Sequence, residues 1–177
     1  NISSTSYAVT FGGTSGDFPS NVVVDSLGNA YITGDFKNTV NFGSGNITSS
    51  GASDIFIAKF DSTGSLEWVK TYGDNSWDRG LDIAIDSSDN IYITGYFQKT
   101  VNFGGGNVTV TDPSSGGSDL FVLKLNSSGE FQWVYTVGGW NNDNGKGIDV
   151  DSSGNVYISG IFKETVDFGG GNITSAG

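Results

Sequence analysis

Ten residues of the form D-S-x-x-N-x-Y-I-[TS]-G occur three times in this chain, beginning at Asp25, Asp86 and Asp151. The offsets, 61 and then 65 residues, recur for Tyr7, Trp68 and Trp133, for Gly12, Gly73 and Gly138, and for Asp17, Asp78 and Asp143. A second run, T-V-[ND]-F-G-x-G-N-[IV]-T, starts at Thr39, Thr100 and Thr165 with the same spacing. Self-similarity at a fixed period means a stack of like units, each too small to bury its own faces. The four extra residues of the second period fall between Phe103 and Asp119, near Asp112, Pro113, Ser114 and Ser115. That insertion is expected to be a surface loop.

Within one period the pattern reads as four short strands. The first covers 21–24, 82–85 and 147–150, where Val22 and Val24, Ile83 and Ile85, and Ile148 and Val150 stand at alternate positions. A D-S-x-x-N turn follows, suited to Asp, Asn and Gly because they tolerate left-handed φ and bond their own backbone. The second strand covers 30–36 and its copies; the third covers 54–60 and 119–125 and is mostly apolar. The fourth carries Leu66, Trp68 and Tyr72, matched by Phe131, Trp133, Tyr135 and Val137. Alternation of this kind marks half-buried strands, and no helical period lasts three turns. Trp68 and Trp133 are expected to be core residues. The fold class that results is all-β: propeller-type blades of four antiparallel strands, in about three repeats of 61–65 residues.

Composition narrows the function. Gly, Ser, Thr and Asn make up 83 of 177 residues, yet aromatics reach 13%, too many for a disordered chain. Eight basic against nineteen acidic residues give a net charge of −11, a field that repels nucleic acid and anionic membranes. No apolar run is long enough for a membrane helix. Without Cys there is neither a disulfide nor a thiol nucleophile, and without His the commonest general base and metal ligand is missing. These absences argue against an enzyme. The first residue is Asn1 rather than Met, so a processed chain or a piece of a longer one is expected.

The runs Y-G-D-N-S-W-D-R-G-L-D-I-A-I-D-S-S-D-N-I-Y-I-T-G and S-D-I-F-I-A-K-F-D-S-T-G-S-L-E-W resemble the bacterial and archaeal β-propeller repeat known as the SBBP repeat. The resemblance spans nearly the whole chain. It implies a secreted or surface-attached repeat protein and transfers no catalytic residue. The first copy departs from the pattern at Phe18-Pro19-Ser20.

Candidate sites are few. Asp25, Asp86 and Asp151 open oxygen-rich turns but lack the alternating ligands and closing Glu of a calcium loop, so they read as turn caps. Asp17, Asp78 and Asp143 recur in every repeat and read as scaffold. The only Glu residues are Glu67, Glu130 and Glu164, which gives no paired-carboxylate signal. Gly104-Gly105-Gly106 lacks the Lys-Ser or Lys-Thr of a phosphate loop and reads as a hairpin turn. Sequons begin at Asn1, Asn46, Asn107, Asn126 and Asn172. Trp77 and Trp140 stand 63 residues apart, off the repeat spacing, in loops rich in Asp and Asn; they are the candidate aromatic platform for a ligand. No catalytic residue, metal site or cofactor is assigned.

Residues 1–177 divide as a single module: 1–13 as the outer strand of an incomplete blade, 14–73 and 74–138 as two repeats, 139–177 as an incomplete third. Three blades do not close a ring, since propellers close with about four to eight. The expected role is therefore a non-catalytic, extracellular or cell-surface structural module. It would associate with further copies of itself, or with adjacent repeats of a longer chain, into a filament or ring. The expected inter-subunit strand contact brings Tyr7, Val9 and Phe11 of one copy beside Tyr157, Ile158 and Phe162 of another. The alternative is a surface adhesin or glycan-binding propeller using Trp77 and Trp140.

Overall fold

A computed structural model describes residues 7–114 and 116–176. Two four-stranded antiparallel sheets follow one another, each in simple chain order. The first blade is Phe18–Val24, Ala30–Phe36, Asp54–Phe60 and Leu66–Tyr72. The second is Arg79–Ile85, Ile91–Phe97, Asp119–Leu125 and Phe131–Val137. A third begins with Asn144–Val150 paired to Val156–Ile161. The described residues are all-β, and no helix among them is long and apolar enough to cross a membrane.

The repeated residues explain the repeated geometry. Asp25 closes its hairpin by accepting the Leu27 and Asn29 amides (2.9 and 2.8 Å), the Asn29 side chain (2.7 Å) and the Tyr31 hydroxyl (3.3 Å). Asp86 and Asp151 repeat these bonds, with Asn90 and Tyr92, and with Asn155 and Tyr157. The motif is thus a self-contained turn whose Asp, Asn and Tyr recur because they bond one another. Its final glycine has a separate cause. The first and second strands meet at a bulge, and a Cβ on Gly34, Gly95 or Gly160 would collide with the carbonyl of Phe18, Arg79 or Asn144.

The bulge also makes the first strand longer than the alternation predicts. Phe18, Pro19 and Ser20 lie within it, and the matching strands start at Arg79 and Asn144. Each T-V-[ND]-F-G run adds a small hairpin, such as Thr100–Asn102 with Asn107–Thr109 around the glycines. These hairpins turn Phe42 and Phe103 into the blades, where both are buried. Phe103 packs on Phe97, Phe121 and Tyr72 at centroid distances of 4.9–5.7 Å. Burying such a ring contributes about 2–3 kcal/mol.

Blades stack through their first strands. Asp82 accepts hydrogen bonds from the Asn21 side chain of the preceding blade and from the Ile148 amide of the following one, the latter at 2.7 Å. Gly80 and Gly145 let the blades close on Thr33 and Thr94, whose hydroxyls a Cβ at either glycine would strike. A single core cluster accordingly runs across the first junction, joining Tyr31, Ile55 and Ile57 to Ile83, Ile91 and Phe121.

Two sequence expectations need correction. Trp68 is part-buried against the core, with a ring atom 3.2 Å from where a Gly129 Cβ would stand in the next blade's turn. Trp133, expected in the core, is 38% exposed and contacts Tyr92 at 6.1 Å. This position is covered by the neighbouring blade's turn rather than by its own sheet. The second correction concerns the outer strand assigned to residues 1–13. Residues 1–6 of it, with Asn1, lie outside the described residues. Residues 7–11 form no strand, Gly12 and Gly13 alone pair with Asn41 and Val40, and Phe11 packs on Phe42, Phe56 and Phe60 of the first blade at 5.2–6.1 Å.

Candidate functional site

Two regions of the stack combine unusual chemistry with access: the rims of the blade junctions and the outer edge of the third blade. At each rim, the end of one blade's second strand faces the start of the next blade's first strand. An Asp just before each first strand fastens that strand to the end of its own hairpin partner and to the loop arriving from the preceding blade. Asp17, Asp78 and Asp143 each accept one amide of the preceding loop, from Gly13, Asp74 and Gly139 (2.7–2.9 Å). Each also accepts one amide just after a second strand, from Lys37, Gln98 and Lys163 (2.9–3.5 Å). Asp78 is fully buried, and burial pushes it up to about 7; its two amide bonds oppose the rise, while the nearby Asp74 and Asp54 carboxylates add to it.

The first rim is charged. Arg79 Nε stands 3.5 Å from Asp35 Oδ2, and the Asp35 side chain is almost wholly buried. Burial raises the Asp35 carboxyl above its ordinary value despite the opposing pull of Arg79 and Lys37. Lys37 lies over the Trp77 ring at 4.4 Å and Arg79 at 5.3 Å, and both also approach Phe18. Trp77 therefore belongs to the junction, although 40% of it stays exposed. The second rim puts neutral side chains at the matching places, and a crevice of about 160 Å³ opens between Trp77, Tyr96, Gln98, Ser118, Asn142 and Asn144. Gln98 Oε1 accepts the Trp77 amide at 3.3 Å, and Gln98 Nε2 donates to the Gly116 carbonyl at 3.1 Å.

Trp140 does not join this group. It is 69% exposed, and it lines neither the crevice nor the groove beside the third blade. The pairing of Trp77 with Trp140 expected from composition is thus not brought together. The residues that sequence reading passed over are Tyr96, Gln98, Asn142 and Asn144. Their signal was the converse of the repeat: matching positions carry Asp35, Lys37, Trp77 and Arg79 in the preceding junction.

At the third blade, Val156–Ile161 pairs on one side with Asn144–Val150 and has no strand on its other side among the described residues. Tyr157 and Ile158 are exposed, whereas their counterparts Tyr92 and Ile93 are buried. Beside this edge lies an apolar groove of about 420 Å³, lined by Leu120, Val137, Ile158, Ile161, Phe162 and Phe168. Tyr7 and Val9 sit at the opposite end of the stack: a Gly64 Cβ would fall 2.6 Å from the Tyr7 ring, and Val9 packs beside Phe11. Sheet order matters here. In both complete blades the neighbour of the second strand is the third strand, whereas residues 7–11 match a fourth strand, so they do not fit the place beside 157–162.

Blades of four antiparallel strands, stacked by their inner strands and marked by one repeated turn, are β-propeller blades. The chain matches the Beta-propeller repeat family (SBBP) at residues 10–35 and 132–160, which supports repeats of the SBBP type. It is similar to an uncharacterized WD repeat-containing protein of Acanthamoeba polyphaga mimivirus, 28% identical over 155 residues, 82% of this chain and 10% of that protein. It is likewise similar to the regulatory protein FlaEY of Caulobacter vibrioides, 28% identical over 127 residues, 72% of this chain and 13% of that protein. The chain thus spans about a tenth of the length of these curated relatives.

Proposed function

We propose that this chain is a non-catalytic scaffold module, acting outside the cell or on its surface, whose third blade is completed by a strand from a further repeat of the same kind. The observation that carries the reading is the edge of Val156–Ile161 beside an apolar groove. An unpaired edge presents backbone donors and acceptors to a further strand. Phe162 and Phe168 are the counterparts of Phe97 and Phe103, both buried beneath the third strand in the second blade. The fitting occupant is accordingly a segment of the D-[IL]-F-[IV] type, like Asp54–Phe60 and Asp119–Leu125. Repetition of that contact extends the stack into a filament, or into a ring where the rotation closes.

The test is amide hydrogen exchange on two proteins: the chain itself at rising concentration, and a chain lengthened after residue 177 by a copy of residues 110–138. Amides of 156–161 should exchange freely in the dilute chain and reach the protection of 91–97 in the lengthened one. In the lengthened protein, Ile158→Lys should weaken that protection. If 156–161 stays unprotected in the lengthened protein, the edge does not take this type of strand and the reading falls.

A further inference from the structure

The crevice at the second junction has a chemistry that stacking does not require. Its six lining residues, from Trp77 to Asn144, include no charged side chain, in a protein of net charge −11. Two faces of it are aromatic, Trp77 and Tyr96. The rest is amide and hydroxyl. Ser118 is buried and donates toward Asn144 Oδ1 at 3.0 Å and toward Asn142 Oδ1 at 3.4 Å. Both carbonyl oxygens face this hydroxyl, whose single proton goes to Asn144 Oδ1 at the shorter distance. This leaves the Nδ2 groups of Asn142 and Asn144 without a partner among the described residues, and the half-buried Tyr96 hydroxyl likewise. Burial raises the Tyr96 hydroxyl above its ordinary value, which keeps it a neutral O–H donor.

We propose that this crevice binds one ring of a neutral saccharide, with Trp77 and Tyr96 as its apolar walls and Asn142, Asn144 and Tyr96 as donors to its hydroxyl groups. A sugar ring offers a C–H face and a rim of hydroxyls, and so matches a pocket made of aromatic surface and a few oriented amides. A cation lacks a carboxylate to meet here, and an acidic sugar lacks a basic group. The first junction shows what the same backbone does without a ligand to accommodate: Asp35, Arg79 and Lys37 close on one another and on Trp77. Trp77 serves both junctions. Lys37 and Arg79 hold its ring from the first, and its border with the crevice faces the second. Trp140 takes no part.

The full chain is titrated with glucose-, mannose-, galactose- and N-acetylglucosamine-based oligosaccharides and with a sialylated one. Tryptophan fluorescence and the side-chain amide resonances of Asn142 and Asn144 report binding. At least one neutral probe should quench the fluorescence and move both resonances. Trp77→Ala should weaken that probe about tenfold or more, the worth of one good aromatic contact. Tyr96→Phe and Asn144→Ala, which remove single donors, should weaken it measurably while keeping the melting temperature, so the answer does not hang on the folding of the Trp77 variant. Trp140→Ala should bind as the parent does. The proposal is overturned if no neutral probe moves the Asn resonances at millimolar concentration, if the sialylated probe binds in preference, or if Trp140→Ala alone abolishes binding.

Discussion

The two junctions of this stack share a floor and differ at the rim. On the floor, Thr33 meets Gly80 and Thr94 meets Gly145, and Asp82 bonds both neighbours. At the rim, a buried carboxylate with its arginine in one place becomes a tyrosine with two asparagines in the other. Stacking geometry is therefore set by small residues close to the backbone. Side chains at the mouth are free to differ, and that is where a repeat scaffold acquires individual chemistry.

The largest expected effect concerns the buried Asp78 at the first rim and its dependence on pH. In the folded chain Asp78 keeps its proton up to about pH 7, whereas unfolded it would release it near the ordinary 3.8. Folding then holds the extra proton between these values, so this contribution is complete near pH 4 and is lost as pH rises through 7. The shift corresponds to an upper bound on the order of 4 kcal/mol. The raised carboxyls of Asp35, Asp54 and Asp119 act in the same direction. The turn carboxylates Asp25 and Asp86 act oppositely: their values are lowered, so their contribution is present at neutral pH and disappears in acid below about 4. Chemical denaturation across pH 3–9 should show a maximum between these limits, and Asp78→Asn should flatten the alkaline limb. A curve rising steadily to pH 8 would break the assignment.

Next in size are the contacts that cross a junction. Trp68→Ala should destabilise by about 3 kcal/mol, because the Gly129 turn covers the ring, and Trp133→Ala by only about 1 kcal/mol. Equal losses would mean that the turn does not cover Trp68. A similar cost, about 2–3 kcal/mol, is expected for Gly145→Val through overpacking against Thr94. At the rim, Arg79→Ala should cost about 2 kcal/mol, below the usual range for a broken buried pair because the arginine is partly exposed. Asn144→Ala should cost less than about 0.5 kcal/mol, as expected of a rim residue shaped for a ligand. Reversal of the last two would erase the distinction between a sealed rim and an open one.

The second, third and fourth strands were legible because each is a seven-residue β-rich run between turn signals, with Asp54–Phe60 mostly apolar rather than alternating. The first strand is longer than its sequence suggests because Phe18-Pro19-Ser20 and Arg79-Gly80-Leu81 look like loops, and a bulge keeps them in the sheet. Trp133 was misplaced because alternation tells which residues share a face, and says nothing of what covers that face. The crevice was hidden for a related reason. Tyr96 and Asn144 lie 48 residues apart in sequence, and only the stacking of two blades puts them on opposite walls.

The aromatics at two matching positions of the repeat, Tyr7 over the Gly64 turn and Trp68 over the Gly129 turn, both lie on the turn of the blade that follows. The stack consequently has a polarity. A blade is clamped from behind by the ring of its predecessor and clamps the one ahead with its own. A blade with nothing ahead of it lacks this one contact, and is expected to be the first to loosen on heating. Regrowth then proceeds from the blade left standing, which offers its ring as the seat for the next turn to form.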